Sequence, residues 1–71
     1  MGFPSREKIE ELRANFTKGS HICCIRMVGE PQMTGAKGIV DHVDDVGQIH
    51  VSWGGGSSLA IDPEVDDYYL Y

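Results

Sequence analysis

The sequence predicts a mainly β protein in which one N-terminal helix precedes five short strands that close into a small, partly open barrel. Two observations predict this fold. Residues 43–61 alternate apolar and polar side chains and turn at glycines, which is typical of β-hairpins. Residues 6–16 repeat apolar side chains at spacings of three and four, which is typical of an amphipathic helix. With 71 residues, the chain is expected to form one domain, residues 1–71, around one small core.

The helix is predicted to span residues 6–16. Ser5 is suited to cap its first turn, and Gly19 is suited to end it. Its apolar stripe consists of Ile9, Leu12 and Phe16. Because this stripe is too narrow for an independent helix bundle, we expect the helix to pack on another part of the chain.

The first strand is predicted over residues 20–28, which are rich in β-forming side chains. Its alternation allows two inward-facing sets. These sets are Ile22 with Cys24, or Ile25 with Met27. A β-bulge, or cover by the helix on the second face, would reconcile them. Residues 29–36 are expected to form a loop.

The second and third strands are predicted to form a hairpin from Lys37 to Trp53, with Gly47 in the left-handed position of a three-residue loop. The register that follows pairs Asp44 with Gln48, Val43 with Ile49, His42 with His50, and Ile39 with Trp53. A second loop, residues 54–56, leads into a fourth strand. That loop pairs Trp53 with Ser57, Val51 with Leu59, and Ile49 with Ile61. Both loops keep the same face apolar, so two independent turns predict one register.

The end of the chain is predicted to form a turn and a last strand. Pro63 favours a turn after Ile61, and residues 68–71 have the composition of a short strand. Trp53 is expected to lie largely in the core, whereas the alternating face of the last strand should leave some tyrosine exposed.

The charges are distributed unevenly along a chain whose formal net charge is −5. Residues 1–37 carry all six basic residues and four acidic ones, whereas residues 38–71 carry seven acidic residues and no Lys or Arg. Because phosphate binding needs cations, the acidic half argues against direct nucleic-acid binding. It favours a protein partner with a basic surface.

We expect the partner-binding surface to combine carboxylates with aromatic side chains, which are enriched at interfaces. The predicted binding residues are Asp44, Asp45, Asp62, Glu64, Asp66, Asp67, Tyr68 and Tyr69. The alternative is a nucleic-acid-binding barrel that uses the basic residues Arg6, Lys8, Arg13, Lys18, Arg26 and Lys37. Self-association through an open edge strand is a third prediction.

The residue patterns predict neither catalysis nor a cofactor or metal. Adjacent Cys23 and Cys24 are expected to point to opposite faces of a strand, which fits neither a disulfide nor a zinc knuckle. Ser57 and Ser58 follow three glycines but lack the G-x-S-x-G nucleophile pattern. Unpaired thiols favour the cytoplasm. The first residues lack the apolar core of a secretory signal, and no apolar run is long enough to cross a membrane.

Four stretches carry a resemblance to a known family: FPS at 3–5, KG at 18–19, GAKGIVDHVDDVGQIHVSW at 35–53 and GSSLAI at 56–61. Together they resemble the small bacterial and phage proteins known as domain of unknown function 4314. Residues 38–53 are also similar to small SH3-like domains, including those of Mind-bomb-type ubiquitin ligases. The resemblance implies an SH3-like barrel over residues 20–71 and an origin in phages or other mobile elements. It implies no activity and no catalytic residues.

The resemblance and the acidic half together lead to a sharper functional hypothesis. An acidic protein of a mobile element can present carboxylates where a nucleic-acid enzyme of the bacterial host would bind phosphates. The expected function is therefore a non-enzymatic interaction module, in its sharper form an inhibitor of a host nuclease or defence complex.

Overall fold

A computed structural model describes residues 4–71, in which one helix precedes a four-stranded antiparallel sheet. The elements are helix α1 (Arg6–Asn15) and strands β1 (His21–Arg26), β2 (Lys37–Val43), β3 (Ile49–Trp53) and β4 (Asp67–Leu70). The strand order is β3-β2-β1-β4, so the last strand lies beside the first. The mainly β class with one N-terminal helix is confirmed. Phe3, part of the FPS stretch, lies outside the described residues.

Helix α1 begins and packs as its sequence indicates. The Ser5 side chain accepts a hydrogen bond from the backbone N–H of Lys8 (3.1 Å), which caps the first turn. Ile9 and Leu12 are buried. Arg13 ties the helix to the hairpin, because its Nε donates to the carbonyl of Val43 (3.1 Å).

The inner face of β1 is the set formed by Ile22 and Cys24, both fully buried in the core. Ile25 is 49% exposed, whereas Met27 is buried with the core. The β1–β4 pairing shifts its register between residues 24 and 26, which is the kind of irregularity that a β-bulge produces. This shift explains why members of both predicted inward-facing sets are buried. Cys23 is buried outside the core cluster, and both cysteines are free thiols. The loop that follows contains one 3₁₀ turn, Pro31–Met33.

The predicted hairpin register is confirmed beside the β2–β3 turn. Gly47 has a φ of +88°, the left-handed conformation that its position in the loop requires. The pairs Val43 with Ile49 and His42 with His50 form as expected.

The same register is wrong at the far end of the hairpin. Ile39 pairs with Ser52 rather than with Trp53, because the ladder shifts by one residue at Asp41. An extra residue in one strand of an antiparallel pair is a β-bulge, which period-two alternation does not reveal. Trp53 consequently lies opposite Gly38.

The sheet in residues 4–71 has four strands, not the predicted five, and it is not closed. The segment after the glycine loop makes one isolated bridge, between Ile49 and Ile61, with N···O distances of 2.9 Å in both directions. The predicted pairs Trp53 with Ser57 and Val51 with Leu59 are not formed. The reason is that Leu59 has other partners. Its carbonyl accepts from Trp53 Nε1 (2.7 Å), and its N–H donates to the Ser57 side chain (3.2 Å).

Gly38 has no room for a side chain. A Cβ at this position would lie 2.6 Å from the carbonyl oxygen of Ser52 and 2.6 Å from a methyl carbon of Val51. Because one of these atoms is backbone, Gly38→Ala must displace β3. The variant is expected to lower the free energy of unfolding by about 2 kcal/mol in urea denaturation.

The matched control for this prediction is Gly55→Ala. A Cβ at Gly55 meets nothing within 4 Å, and its φ is not positive. The expected change is below about 0.5 kcal/mol. Equal stabilities for the two variants would contradict the tight approach of β2 to β3.

Candidate functional site

The eight predicted binding residues are distributed over three neighbouring segments of the fold. Asp44 and Asp45 lie in the β2–β3 turn, and Asp62, Glu64 and Asp66 lie in or beside the turn before β4. Asp67, Tyr68 and Tyr69 belong to β4 itself. Their contacts divide them into side chains that stabilise the fold and side chains that remain accessible to a partner.

Asp66 is a structural residue. It is only 7% exposed, and both of its carboxylate oxygens accept backbone hydrogen bonds. Oδ1 accepts from Val28 N (2.9 Å), and Oδ2 accepts from Asp62 N (2.8 Å). Its carboxylate therefore joins the loop after β1 to the turn before β4.

Two of the predicted carboxylates form ion pairs with arginines from the basic half of the chain. Asp45 lies 2.8 Å from Arg13 Nη2, and Asp67 lies 3.2 Å from Arg26 Nε. Both pairs are solvent-exposed, so each contributes at most about 1 kcal/mol to stability. Folding thus brings positive charge to the acidic half, although the Asp45 side chain remains 96% exposed.

Asp44 organises the β2–β3 turn. Its Oδ1 accepts hydrogen bonds from Val46 N (3.1 Å) and Gln48 N (2.9 Å), and its Oδ2 lies 2.8 Å from Nε2 of His50. Burial raises the pKa of Asp44, but the hydrogen bonds from His50, Gln48 and Val46 outweigh it. The pKa consequently lies below its ordinary value of 3.8.

This lowered pKa predicts how stability depends on pH. The contribution of Asp44 is complete above the ordinary value of 3.8 and is lost as the pH falls through the lower folded-state value. Asp44→Asn keeps an oxygen for the turn amides but removes the carboxylate from His50. It is expected to cost about 1 kcal/mol at neutral pH, and the difference from wild type should disappear in acid.

Urea denaturation across acidic and neutral pH measures this difference, with Asp45→Asn as the control. Asp45 lies in the same turn but has only its exposed ion pair with Arg13 to lose. A gap between wild type and Asp44→Asn that stays constant down to strong acid would show that the carboxylate charge is irrelevant.

His42 and His50 are direct cross-strand neighbours, as the sequence predicted. Their rings are stacked, with centroids 4.4 Å apart and an angle of 6° between planes. Nδ1 of His42 lies 2.6 Å from Asp41 Oδ2, and this hydrogen bond lowers the pKa of Asp41. In residues 4–71, no cluster of three His, Cys, Asp or Glu side chains is arranged to bind a metal ion.

The outer face of the sheet carries exposed aromatic and aliphatic side chains. Of these, only Tyr69 is among the binding residues predicted from the sequence. We call this surface the aromatic face; it consists of His21, Lys37, Ile39, Tyr69 and Tyr71. The strand pairing brings these residues together, since His21 lies opposite Ile39 while Lys37 and Tyr69 both lie opposite Cys23.

The side chains of the aromatic face contact one another around Tyr71, which is 58% exposed. Its ring centroid lies 5.4 Å from that of His21 and 6.3 Å from that of Tyr69. Lys37 Nζ lies 5.5 Å from the same centroid, within cation–π range. Tyr71, His21 and Ile39 line a shallow cavity of about 250 Å³.

Tyr68 points to the other side of β4. It is half-buried and meets the ring of Phe16 edge-on, with centroids 5.6 Å apart. Burial raises the pKa of its hydroxyl. Of the two tyrosines predicted to bind a partner, the structure therefore leaves Tyr69 exposed and packs Tyr68 against Phe16, at the end of the helix.

Asp62 and Glu64 lie on a second concave feature, a groove of about 260 Å³ between α1, the β2–β3 turn and the turn before β4. Its other walls include Leu12, Val46 and Lys8. Asp62 Oδ1 accepts from Glu64 N (3.0 Å), whereas the Glu64 side chain is exposed. Of the predicted acidic residues, Asp45, Glu64 and Asp67 are exposed, whereas Asp62 is half-buried.

The basic residues of the alternative hypothesis are mostly engaged in contacts with other side chains. Arg13 and Arg26 form ion pairs, Lys8 lies 3.4 Å from Glu11, and Lys37 lies over Tyr71. Three of these four cations therefore lie beside carboxylates, which offset part of their positive charge.

These features define a small, mainly β domain with an exposed aromatic sheet face. The family model described as domain of unknown function (DUF4314) matches residues 5–70. The chain belongs to this family, which confirms the resemblance carried by its sequence. Searches of curated proteins and of solved structures gave no match. Within residues 4–71, no helix combines the length and apolar character needed to span a membrane.

Proposed function

We propose that this protein is a non-enzymatic interaction module that binds a protein partner through the aromatic face. The observation that carries the proposal is the cluster of exposed Tyr69, Tyr71 and Ile39 on one side of the sheet. Tyrosines supply a large apolar area and a polar tip at low entropic cost, which is why they are enriched at binding hot spots.

The charge distribution favours a protein partner over a nucleic acid. Lys37 is the one basic residue of the aromatic face, and the chain as a whole carries a net charge of −5. A phosphate backbone would need several cations on one surface. A basic protein surface would instead meet accessible carboxylates at the side of the domain formed by Asp45, Asp62 and Glu64.

A second candidate function is inhibition of a nuclease or defence complex in a bacterial host. The groove that contains Asp62 and Glu64 favours it, because it places carboxylates beside apolar walls. In this version the protein derives from a mobile element, acts in the host cytoplasm, and presents its carboxylates in a channel that normally holds phosphates.

The finer fold assignment belongs to the same proposal. An SH3-like barrel is supported by the strand order β3-β2-β1-β4 and by the bridge from Ile49 to Ile61, which extends the order beyond β3. It is also supported by the turn between Ile61 and β4, where Asp66 N donates to the carbonyl of Asp62 (2.9 Å).

Capture of partners from a bacterial host lysate tests the proposed function. The variant Ile39→Thr/Tyr71→Thr removes two side chains of the aromatic face but keeps β-forming residues. The wild type is expected to capture a discrete protein even after nuclease treatment of the lysate, and the variant is expected not to capture it. The affinity of the variant for the purified partner should be at least tenfold weaker, which corresponds to about 1.4 kcal/mol.

The control variant is Val28→Thr/Val65→Thr, which changes two valines exposed elsewhere on the surface. It should bind the partner like the wild type. Asp45→Asn/Glu64→Gln tests the acidic inhibitor, since both carboxylates are exposed and the structural Asp66 is left intact. Capture that nuclease treatment abolishes would instead support the nucleic-acid alternative.

A further inference from the structure

We infer that the protein forms a two-fold symmetric dimer in which β4 pairs antiparallel with β4 of a second copy. The inference goes beyond the proposed function, because it concerns the free edge of the sheet, at which Tyr69 is the one contact that it shares with the aromatic face. It rests on the direction of the backbone groups in β4, on the side chains at that edge, and on the register they allow.

Strand β4 lies at the edge of the described sheet, where β1 is its one neighbour. Tyr71 N donates to the carbonyl of His21 (3.1 Å), and Tyr69 lies opposite Cys23. Since hydrogen-bonding direction alternates along an antiparallel strand, Tyr69 and Tyr71 direct their backbone groups toward β1. Tyr68 and Leu70 consequently direct theirs away from the sheet.

The outward backbone groups are self-complementary. In an antiparallel pairing centred on Tyr69, Tyr68 of each copy lies opposite Leu70 of the other. Each of these pairs exchanges N–H···O bonds in both directions, because both of its members point outward. The sheets of the two copies then become one continuous sheet.

The side chains fit the same register. Leu70 lies opposite the fully buried Ile22 yet is 42% exposed, because no strand within residues 4–71 covers it. The dimer places Tyr68 of the second copy beside it. On the outer face, Tyr69 meets its own symmetry mate at the closest cross-strand spacing, where aromatic pairs are stabilising.

The edge lacks the residues that usually prevent strand addition. Natural edge strands are often protected by lysine or proline, and β4 (DYYL) contains neither. Asp67, its one charged residue, contacts Arg26 and lies opposite Tyr71 of the second copy, so like charges do not face each other.

The net charge of −5 on each copy opposes association, so dimerisation should strengthen as salt increases.

The dimer also places two aromatic faces side by side. Tyr69 and Tyr71 of each copy lie next to the two-fold axis on the same side of the continuous sheet. A partner with two equivalent binding segments would therefore bind this surface with an avidity that one copy does not provide.

Sedimentation velocity of the whole chain from about 1 μM to about 1 mM tests the inference. The wild type is expected to convert from monomer to dimer over this range. Tyr69→Lys places two ammonium groups face to face and should weaken dimerisation at least tenfold. Ile39→Lys is the matched control, because it adds the same charge to the same face away from β4, and it should dimerise normally.

A second measurement identifies the paired edge directly. Hydrogen exchange of the Tyr68 and Leu70 amides should be slow above the dimerisation midpoint and fast below it, while the Tyr69 amide stays protected by β1. Leu70→Pro removes an outward N–H without touching the β1 ladder and should abolish the dimer. A monomer throughout the range, or a dimer that both Tyr69→Lys and Leu70→Pro retain, would overturn the inference.

Discussion

Replacing Trp53 with alanine is expected to lower the free energy of unfolding by about 4 kcal/mol. Trp53 is 6% exposed, packs within the core and donates from Nε1 to the carbonyl of Leu59 (2.7 Å). The substitution removes the largest core side chain and leaves this carbonyl without its donor. Because a domain of this size has a total stability of about 4–10 kcal/mol, the substitution should remove from about two fifths to all of it.

Circular dichroism during urea denaturation measures the effect. Trp53→Phe keeps a ring in the core but loses the hydrogen bond, so it should cost about 2 kcal/mol and fall between alanine and wild type. Tyr71→Ala, which truncates an exposed ring, is the control and should change stability little. A loss below about 1 kcal/mol for Trp53→Ala would mean that the segment around Leu59 is not held by the indole.

Replacing Asp66 with asparagine is expected to destabilise the protein by about 3 kcal/mol. Both carboxylate oxygens accept backbone N–H groups, from Val28 and Asp62. An asparagine must turn its amide NH₂ toward one of these donors, which leaves that buried N–H without an acceptor. The loop after β1 and the turn before β4 should then separate from each other.

Asp67→Asn provides the control at the next residue. The same substitution there removes only an exposed ion pair with Arg26, so the expected change is below about 1 kcal/mol. Thermal and urea denaturation should separate the two variants clearly. Equal effects would show that Asp66 is not the structural carboxylate of this turn.

The role of Asp66 also decides how binding is tested. Neutralising Asp44, Asp45, Asp66 and Asp67 together would remove two side chains that hold turns in place. Loss of binding in that variant would not distinguish a lost contact from a lost fold. Substitutions confined to Asp45, Glu64 and the aromatic face avoid this ambiguity.

The elements whose physical causes are local could be predicted from the amino-acid sequence. A serine cap and an apolar stripe define α1, and Gly47 defines the turn between β2 and β3 because few other residues adopt its positive φ. The burial of Trp53 was also predictable. These features depend on residues that are close together in the chain.

The other features depend on contacts between residues that are far apart in the chain. The bulge at Asp41 shifted a register that alternation had predicted, and the contacts of Leu59 replaced the strand that was predicted after the glycine loop. Asp66 looked like a surface carboxylate in a run of acidic residues, but it binds Val28, which lies 38 positions away. The aromatic face exists only because β4 returns beside β1. Sequence periodicity assigns each side chain to a face of its own strand, whereas long-range packing decides which strands are neighbours and which polar groups are buried.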